Sequence, residues 1–148
     1  MNPARLQTVL RTRVRLGETD AAGIVFYPAY FNWFDSGTHG LLRFGDAPSR
    51  GTGGAPRFPL PIVECGATFI APLAFDEEID IISTVAAIGE SSLRVEHEVR
   101  TRAGKTVARG FEQRVFIAVR DGRIEKARIP DELRARLDGS AATANPPA

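Results

Sequence analysis

Cysteine and long apolar runs are scarce in this chain of 148 residues. Its single cysteine, Cys65, allows neither an intrachain disulfide nor a structural zinc site built from several cysteines. The longest apolar runs, such as 69–75 and 115–119, are far shorter than the ~20 residues that cross a bilayer, and no apolar signal follows Met1. We therefore expect a cytoplasmic protein without a membrane partner.

An excess of charge of one sign is also missing. Nineteen Lys and Arg residues stand against eighteen Asp and Glu residues, so the formal net charge is +1. That balance gives no field strong enough to favour nucleic acid or an anionic membrane as the main partner. The length fits one folded unit, and we assign residues 1–138 to a single domain and 139–148 to a disordered tail.

The motifs of several large enzyme classes are absent. The chain has no Gly-x-Ser-x-Gly, glycine-rich phosphate loop, His-Glu-x-x-His or Cys-x-x-Cys. These absences exclude α/β serine hydrolases, P-loop enzymes, dinucleotide oxidoreductases and zinc proteases, and we expect neither a metal nor a cofactor. We interpret His39 and His97, the two histidines, as packed or hydrogen-bonded structural residues, and Cys65 as a buried, inert thiol.

The spacing of apolar residues predicts a first strand and then one long helix. Residues 9–16 alternate between apolar or Thr side chains and Arg, as in a strand with one wet face. Pro28 suits a first helical position, because its missing N–H would have no partner there. The residues that then follow a single helical face, before a stop at Gly45, are Tyr30, Phe34, Gly37, Leu41 and Phe44.

The second half of the chain is dominated by strand patterns. Residues 46–59 show no periodicity and form a loop, either a lid or pocket wall or an ordinary surface excursion. Strand character follows at 60–70, 78–88, 93–100 and 105–120, before a short helix that opens at 130–132. Consecutive strands joined by tight turns indicate an antiparallel meander covered by the helix, so the predicted class is α+β.

Asp20 is the main candidate for a catalytic residue, since it lies just before the start of the long helix. A helix N-terminus carries unpaired N–H groups and a partial positive charge, and it can hold an oxyanion. A carboxylate beside such donors can attack a carbonyl carbon or draw a proton from water. Asp in a loop also commonly caps a turn through its side chain. On spacing alone the capping interpretation is favoured, and the catalytic one stays open.

Three segments carry a family resemblance. Residues 15–35 read RLGETDAAGIVFYPAYFNWFD, and LPIVEC at 60–65 and FIAPLAFDEE at 69–78 support them. Together they resemble the 4-hydroxybenzoyl-CoA thioesterase family of hotdog-fold proteins. The resemblance implies a long central helix wrapped by a curved antiparallel sheet of about five strands. It also implies homodimers made by joining two sheets, pairing of dimers into homotetramers, and acyl pockets at subunit boundaries.

The resemblance also implies roles for particular residues. Asp20 matches the catalytic aspartate, as nucleophile or general base, and Tyr27 matches the residue whose backbone N–H binds the thioester oxygen. The positions that match the substrate pocket are Gly23, Ile24, Val25, Pro28, Leu60, Pro61 and Ile62. The implied reaction is hydrolysis of an acyl-CoA thioester, with an aryl or short-chain acyl group, to the free acid and CoA.

Three alternatives to hydrolysis of an acyl-CoA thioester stay open. Some relatives carry Arg or Lys for the nucleotide phosphates where this chain has residues 89–92, so an acyl carrier protein could deliver the thioester instead of CoA. A hydratase or dehydratase of the same fold would pair the aspartate with a histidine five positions on, where Val25 stands. A hotdog module could also bind acyl-CoA without turnover.

Overall fold

The computed structural model describes residues 5–43 and 57–140. These residues form one five-stranded antiparallel sheet, one small two-stranded sheet and two α-helices. The elements in chain order are β1 (Gln7–Arg13), a 3-10 turn (Leu16–Glu18), α1 (Pro28–Leu41), β2 (Ile62–Phe69), β3 (Glu78–Ile88), β4 (Ser92–Thr101), β5 (Thr106–Val115), β6 (Ile117–Arg120), β7 (Arg123–Lys126) and α2 (Asp131–Leu137).

The large sheet has the strand order β1-β3-β4-β5-β2, with antiparallel neighbours throughout. The helix α1 lies on one face of it and contacts β1, β3, β4 and β5. On β4 the predicted alternation is observed, since Leu93, Val95, His97 and Val99 are buried under the helix. The predicted α+β architecture, a helix against five antiparallel strands, is confirmed.

Two features of the predicted meander are wrong. β2 does not pair with β3, which follows it in the chain; it crosses to the far edge of the sheet and pairs with β5. The predicted strand at 105–120 is also divided, because β6 leaves the large sheet after Val115 and pairs with the unpredicted β7. The turn between them, Asp121-Gly122, has positive φ at both residues, as a two-residue hairpin turn of type I′ requires.

Some predictions fall on residues outside the described ranges. The helix is described to Leu41, while Phe44, Gly45 and most of the loop at 46–59 lie beyond the described residues. Of the predicted tail, only Gly139 and Ser140 are described. Cys65 is within the described part, and the prediction of a buried thiol is wrong: Cys65 is exposed, because it lies on β2, an edge strand that pairs only with β5 among the described residues.

The core consists of two clusters along α1. One surrounds Tyr30, Trp33 and Phe34 in the first half of the helix. The other joins Leu41 at the end of the helix to Leu60 and to Leu133 and Leu137 of α2. The second cluster therefore anchors the segment before β2 near the C-terminal end of α1, whereas Phe69 at the other end of β2 reaches Tyr30, with 4.9 Å between ring centroids. β2 thus runs antiparallel to the helix.

Candidate active site

The segment between β1 and α1 is a tight turn that begins at Asp20. Residues Thr19 and Val25 form an isolated antiparallel bridge around it. Inside the bridge, the Asp20 N–H donates to the Ile24 carbonyl at 2.9 Å, and the Gly23 N–H donates to the Asp20 carbonyl at 3.0 Å. Gly23 has φ +79°, a left-handed conformation that glycine adopts at little cost. The fixed spacing from Asp20 to Gly23 is therefore a requirement of this turn.

The Asp20 side chain takes part in the turn with one oxygen. Its Oδ1 accepts a hydrogen bond of 2.8 Å from the Ala22 N–H, as in an Asx turn. Within residues 5–43 and 57–140, Oδ2 has no hydrogen-bond partner, and the residue is exposed. The capping interpretation and the catalytic interpretation are thus compatible, because the local bond orients the carboxylate and leaves one oxygen available.

The first turn of α1 leaves one amide unpaired. Pro28 at the first helical position has no N–H, and Tyr27 is the N-cap. The neighbouring amides are all occupied: Val25 donates to Leu73 O (2.8 Å), Phe26 to Glu18 O (2.8 Å), Ala29 to Phe26 O (3.0 Å) and Tyr30 to Tyr27 O (3.2 Å). Among the described residues, the Tyr27 N–H has no acceptor. An unpaired amide at the positive end of a helix is a donor available for an oxyanion.

Exposed apolar side chains surround this helix start. Phe26 and Tyr27 are half exposed, with 5.0 Å between their ring centroids. Ile24 forms a bridge with Ala74, which places the exposed Phe75 next to the turn. Phe69 and Ile70 are exposed at the end of β2 that lies near the helix start, and Ile62 and Val63 are exposed at its opposite end. Clustered exposed apolar side chains of this kind mark a surface that binds a ligand or a protein partner.

The predicted pocket residues divide into two groups. Gly23, Ile24, Val25 and Pro28 lie in the segment that carries Asp20 and Tyr27, although Val25 is buried in the core. Leu60, Pro61 and Ile62 lie at the opposite end of β2 from Phe69. Leu60 is buried with Leu41, and its carbonyl accepts a hydrogen bond of 3.0 Å from Arg114. A single chain does not bring the second group to Asp20.

A buried row of polar side chains under α1 resembles a catalytic triad but is closed to substrate. Ser83 Oγ lies 2.8 Å from His97 Nδ1, and His97 Nε2 lies 3.6 Å from Glu112 Oε2. All three side chains are buried, and Phe34 of the helix stacks on the imidazole with 4.7 Å between ring centroids. A nucleophile must reach its substrate, so this row is structural. His97 has the structural role that the sequence indicated.

Glu112 is the charged centre of that buried row. It accepts hydrogen bonds from Thr38 at 2.6 Å and from Arg114 Nε at 3.0 Å. Burial by itself would raise the pKa of Glu112, but the hydrogen bonds and the positive charge around it outweigh burial and lower the pKa below its usual range. The carboxylate is therefore ionised inside the protein, with the contacts from Thr38 and Arg114 both made to its Oε2.

Glu18 is a site residue that sequence reasoning missed. Its carboxylate accepts from the Arg15 N–H at 2.8 Å and from the indole N–H of Trp33 at 3.1 Å. The only signal in the sequence is its position two residues before Asp20, and that gives no indication of a partner fifteen residues away on the helix.

In the described part of the chain, no helix is long and apolar enough to cross a membrane, and no group of three or more His, Cys, Asp or Glu side chains could hold a metal ion.

The chain is similar to known thioester hydrolases. Residues 14–137 match the thioesterase-like superfamily. The chain is 31% identical to a 1,4-dihydroxy-2-naphthoyl-CoA hydrolase of Synechococcus sp. (strain RCC307), over 88% of this chain and 100% of that protein. It is 31% identical to the 4-hydroxybenzoyl-CoA thioesterase of Pseudomonas sp. (strain CBS-3), over 82% and 90%. The solved structure of a gentisyl-coenzyme A thioesterase matches with a TM-score of 0.72 at 31% identity, covering 88% of this chain and 98% of that one.

Proposed function

The chain belongs to the thioesterase-like superfamily, and on that premise we propose that it hydrolyses the CoA thioesters of hydroxylated aromatic acids at Asp20 and the start of α1. The observation that carries the proposal is the Tyr27 amide, which has no acceptor among residues 5–43 and 57–140, in a helix turn whose neighbouring amides are all occupied. It lies on the segment that also orients the Asp20 carboxylate, with the Ala22 amide on one oxygen and the other oxygen free.

The reaction needs a carboxylate and an oxyanion donor. The Tyr27 N–H binds the thioester oxygen as it gains negative charge. Asp20 Oδ2 either attacks the carbonyl carbon to give a mixed anhydride, which water then cleaves, or takes a proton from a water molecule that attacks the same carbon. In both routes the carbon–sulfur bond breaks, the thiolate leaves and is protonated by solvent, and the acid is released. A thiolate is a good leaving group, because thiols are far more acidic than alcohols, so no histidine is needed.

The proposed acyl group is aromatic. The three relatives are named for dihydroxynaphthoyl, hydroxybenzoyl and gentisyl thioesters. In this chain the rings of Phe26, Tyr27, Phe69 and Phe75 are exposed near the helix start, where they can pack against an aromatic acyl ring. In the proposal, Gly23, Ile24 and Pro28, which belong to the segment that carries Asp20 and Tyr27, line the acyl pocket. A hydratase is not favoured, because Val25, at the position where it would need a histidine, is packed in the core.

The proposed active unit is a dimer joined at β2. In the part of the chain that the structure describes, this strand is paired on one side only, by β5, and its exposed residues are largely apolar. The opposite edge strand, β1, instead carries charged pairs such as Arg11–Asp80, which discourage edge pairing. A symmetric antiparallel pair of β2 strands, centred between Cys65 and Gly66, would bring the partner's Ile62 beside Phe69. The partner's Leu60 and Pro61 would then reach the helix start, and each pocket would need both chains.

Thiol release tests the proposal. Purified protein is given a panel of hydroxybenzoyl, dihydroxynaphthoyl, phenylacetyl and short aliphatic CoA thioesters. The same acyl groups are also presented on a minimal pantetheine-like thiol. Comparing the two panels separates dependence of the rate on CoA from dependence on the acyl group. Asp20→Asn should lower kcat by about 10²- to 10⁴-fold with the fold unchanged. Asp121→Asn is the matched control, since Asp121 lies in the distant β6–β7 turn with φ 51°. Full activity of the Asp20→Asn protein would overturn the assignment.

A further inference from the structure

The turn that carries Asp20 is tied to α1 through one side chain. Glu18 accepts the Arg15 N–H on Oε2, 2.8 Å away, and the Trp33 indole N–H on Oε1, 3.1 Å away. Its backbone carbonyl accepts the Phe26 N–H at 2.8 Å. Glu18 therefore contacts the chain before the turn, the chain after the turn, and the second turn of the helix.

These contacts leave Asp20 little freedom relative to the helix. Trp33 is buried in the first core cluster, so its indole is a fixed anchor. Asp20 follows Glu18 by two residues, and Phe26, held by the Glu18 carbonyl, immediately precedes Tyr27. The backbone carbonyl of Glu18 thus ties the start of the turn to the residue before Tyr27, and its carboxylate ties the same stretch of chain to the buried Trp33.

We infer that Glu18 is a positioning residue that holds the Asp20 carboxylate at the working distance from the Tyr27 amide through its bond to Trp33. The inference rests on the proposed function. Glu18 itself does not touch the substrate. Its effect falls on kcat, because a misplacement of about 1 Å between reacting groups can cost on the order of 100-fold in rate.

The kinetic test uses a graded series. Glu18→Gln keeps one acceptor oxygen and so can serve only one of the two donors, while Glu18→Ala serves neither. Trp33→Phe removes the indole N–H and keeps an aromatic ring in the core. We expect kcat to fall about 10- to 100-fold in Glu18→Ala, by less in Glu18→Gln, and KM to stay within about 3-fold. In a double-mutant cycle, the kcat of the protein with both Glu18→Ala and Trp33→Phe should be no lower than the kcat of the slower single variant.

A second readout does not depend on turnover. Amide hydrogen exchange of Asp20 and Phe26, whose N–H groups are bonded inside this segment, should quicken in Glu18→Ala. Glu96→Gln is the matched control, because Glu96 is exposed on β4 and pairs only with Arg94 in the described structure; it should leave both exchange and kcat as in the wild type.

The outcomes separate the inference from the proposed function. Quickened exchange with lowered kcat and a preserved KM supports Glu18 as a positioning residue. Quickened exchange with unchanged kcat shows a structural contact only and overturns it, as does lowered kcat without any change in exchange. If the wild-type protein hydrolyses no thioester in the panel, the proposed function is overturned. If amide exchange is also unchanged in Glu18→Ala, the inference about Glu18 is overturned independently of turnover.

Discussion

Arg114 on β5 and Asp35 on α1 are joined by a hydrogen bond of 2.6 Å between Nη2 and Oδ1. The same guanidinium donates to Glu112 and, through Nη1, to the carbonyl of Leu60. One buried side chain therefore joins the helix, the sheet and the segment that precedes β2. In the proposed dimer that segment is the one that completes the partner's pocket, so its position depends on this contact.

Removing Arg114 should be strongly destabilising. In Arg114→Ala the ionised Glu112 stays buried without its cation, and breaking a buried pair in this way costs on the order of 3–5 kcal/mol of unfolding free energy. Urea unfolding followed by circular dichroism measures it. Arg11→Ala is the control, because the Arg11–Asp80 pair is at the surface and its loss should barely move the midpoint. Equal midpoints for the two variants would contradict the role of Arg114.

Stability should fall in acid partly because of Glu112. Burial raises the pKa of Glu112, but the hydrogen bond from Thr38, the contact with His97 at 3.6 Å and the charge of Arg114 outweigh burial and lower the pKa in the folded protein. A lowered carboxyl pKa gives stability that is full above the ordinary glutamate pKa and is lost as the pH falls through the folded-state pKa. The groups facing Glu112 are His97 on β4, Thr38 on α1 and Arg114 on β5, whose guanidinium also binds Asp35.

The measurement compares wild type with Glu112→Gln, which cannot ionise. The difference in unfolding free energy between the two should be largest near neutral pH and should narrow as the pH is lowered below the ordinary carboxyl range. A constant difference across the acid range would contradict the assignment. The partly buried carboxylates with lowered pKa, among them Asp80 and Glu98, are present in both proteins and cancel in the comparison.

Gly37 should not tolerate even one added methyl group. A Cβ at Gly37 would overlap the buried Ser83 Oγ, so Gly37→Ala should cost about 1–3 kcal/mol even though alanine is the better helix former. Gly40→Ala is the matched control, because its Cβ would meet Thr8 Oγ1 at 3.4 Å, close to ordinary contact. Thermal unfolding of both proteins, and of Gly37→Ala combined with Ser83→Ala, tests it; the added Ser83→Ala change should relieve the overlap.

The edge of β2 should control both assembly and activity. Val63 on β2 and Val9 on β1 are both well exposed, at 61% and 57%, on opposite edge strands. Val63→Lys puts a charge in the proposed interface and should shift the protein toward monomer in sedimentation experiments and lower kcat, because each pocket needs the partner's residues. Val9→Lys should leave assembly and kcat unchanged. A fully active Val63→Lys monomer would exclude the shared pocket.

The sequence predicted much of the fold because its periodicities are local. The buried face of α1 and the alternation of β4 follow from side chains at fixed spacing along one element, and both are observed. The expected assignment to an acyl-CoA thioesterase with the hotdog fold is confirmed by the match over residues 14–137 and by the similar solved structures. The roles of Asp20, Tyr27 and the pocket residues remain proposals, which the thiol-release assay tests.

The sequence by itself determined the elements that neighbouring residues can specify: the turn closed by Gly23, the helix opened by Pro28, and the alternating strands. Only the tertiary structure decided that β2 lies at the far edge beside β5, that Cys65 is exposed, and that Glu18 meets Trp33. The physical reason is that strand pairing and the supply of acceptors depend on which distant segments meet in space. An unpaired donor near the helix start follows from the sequence, because a helix N-terminus leaves its first amides without intrahelical acceptors. Only the tertiary structure decided that, among the described residues, Tyr27 is left without an acceptor while Val25 and Phe26 donate to Leu73 and Glu18.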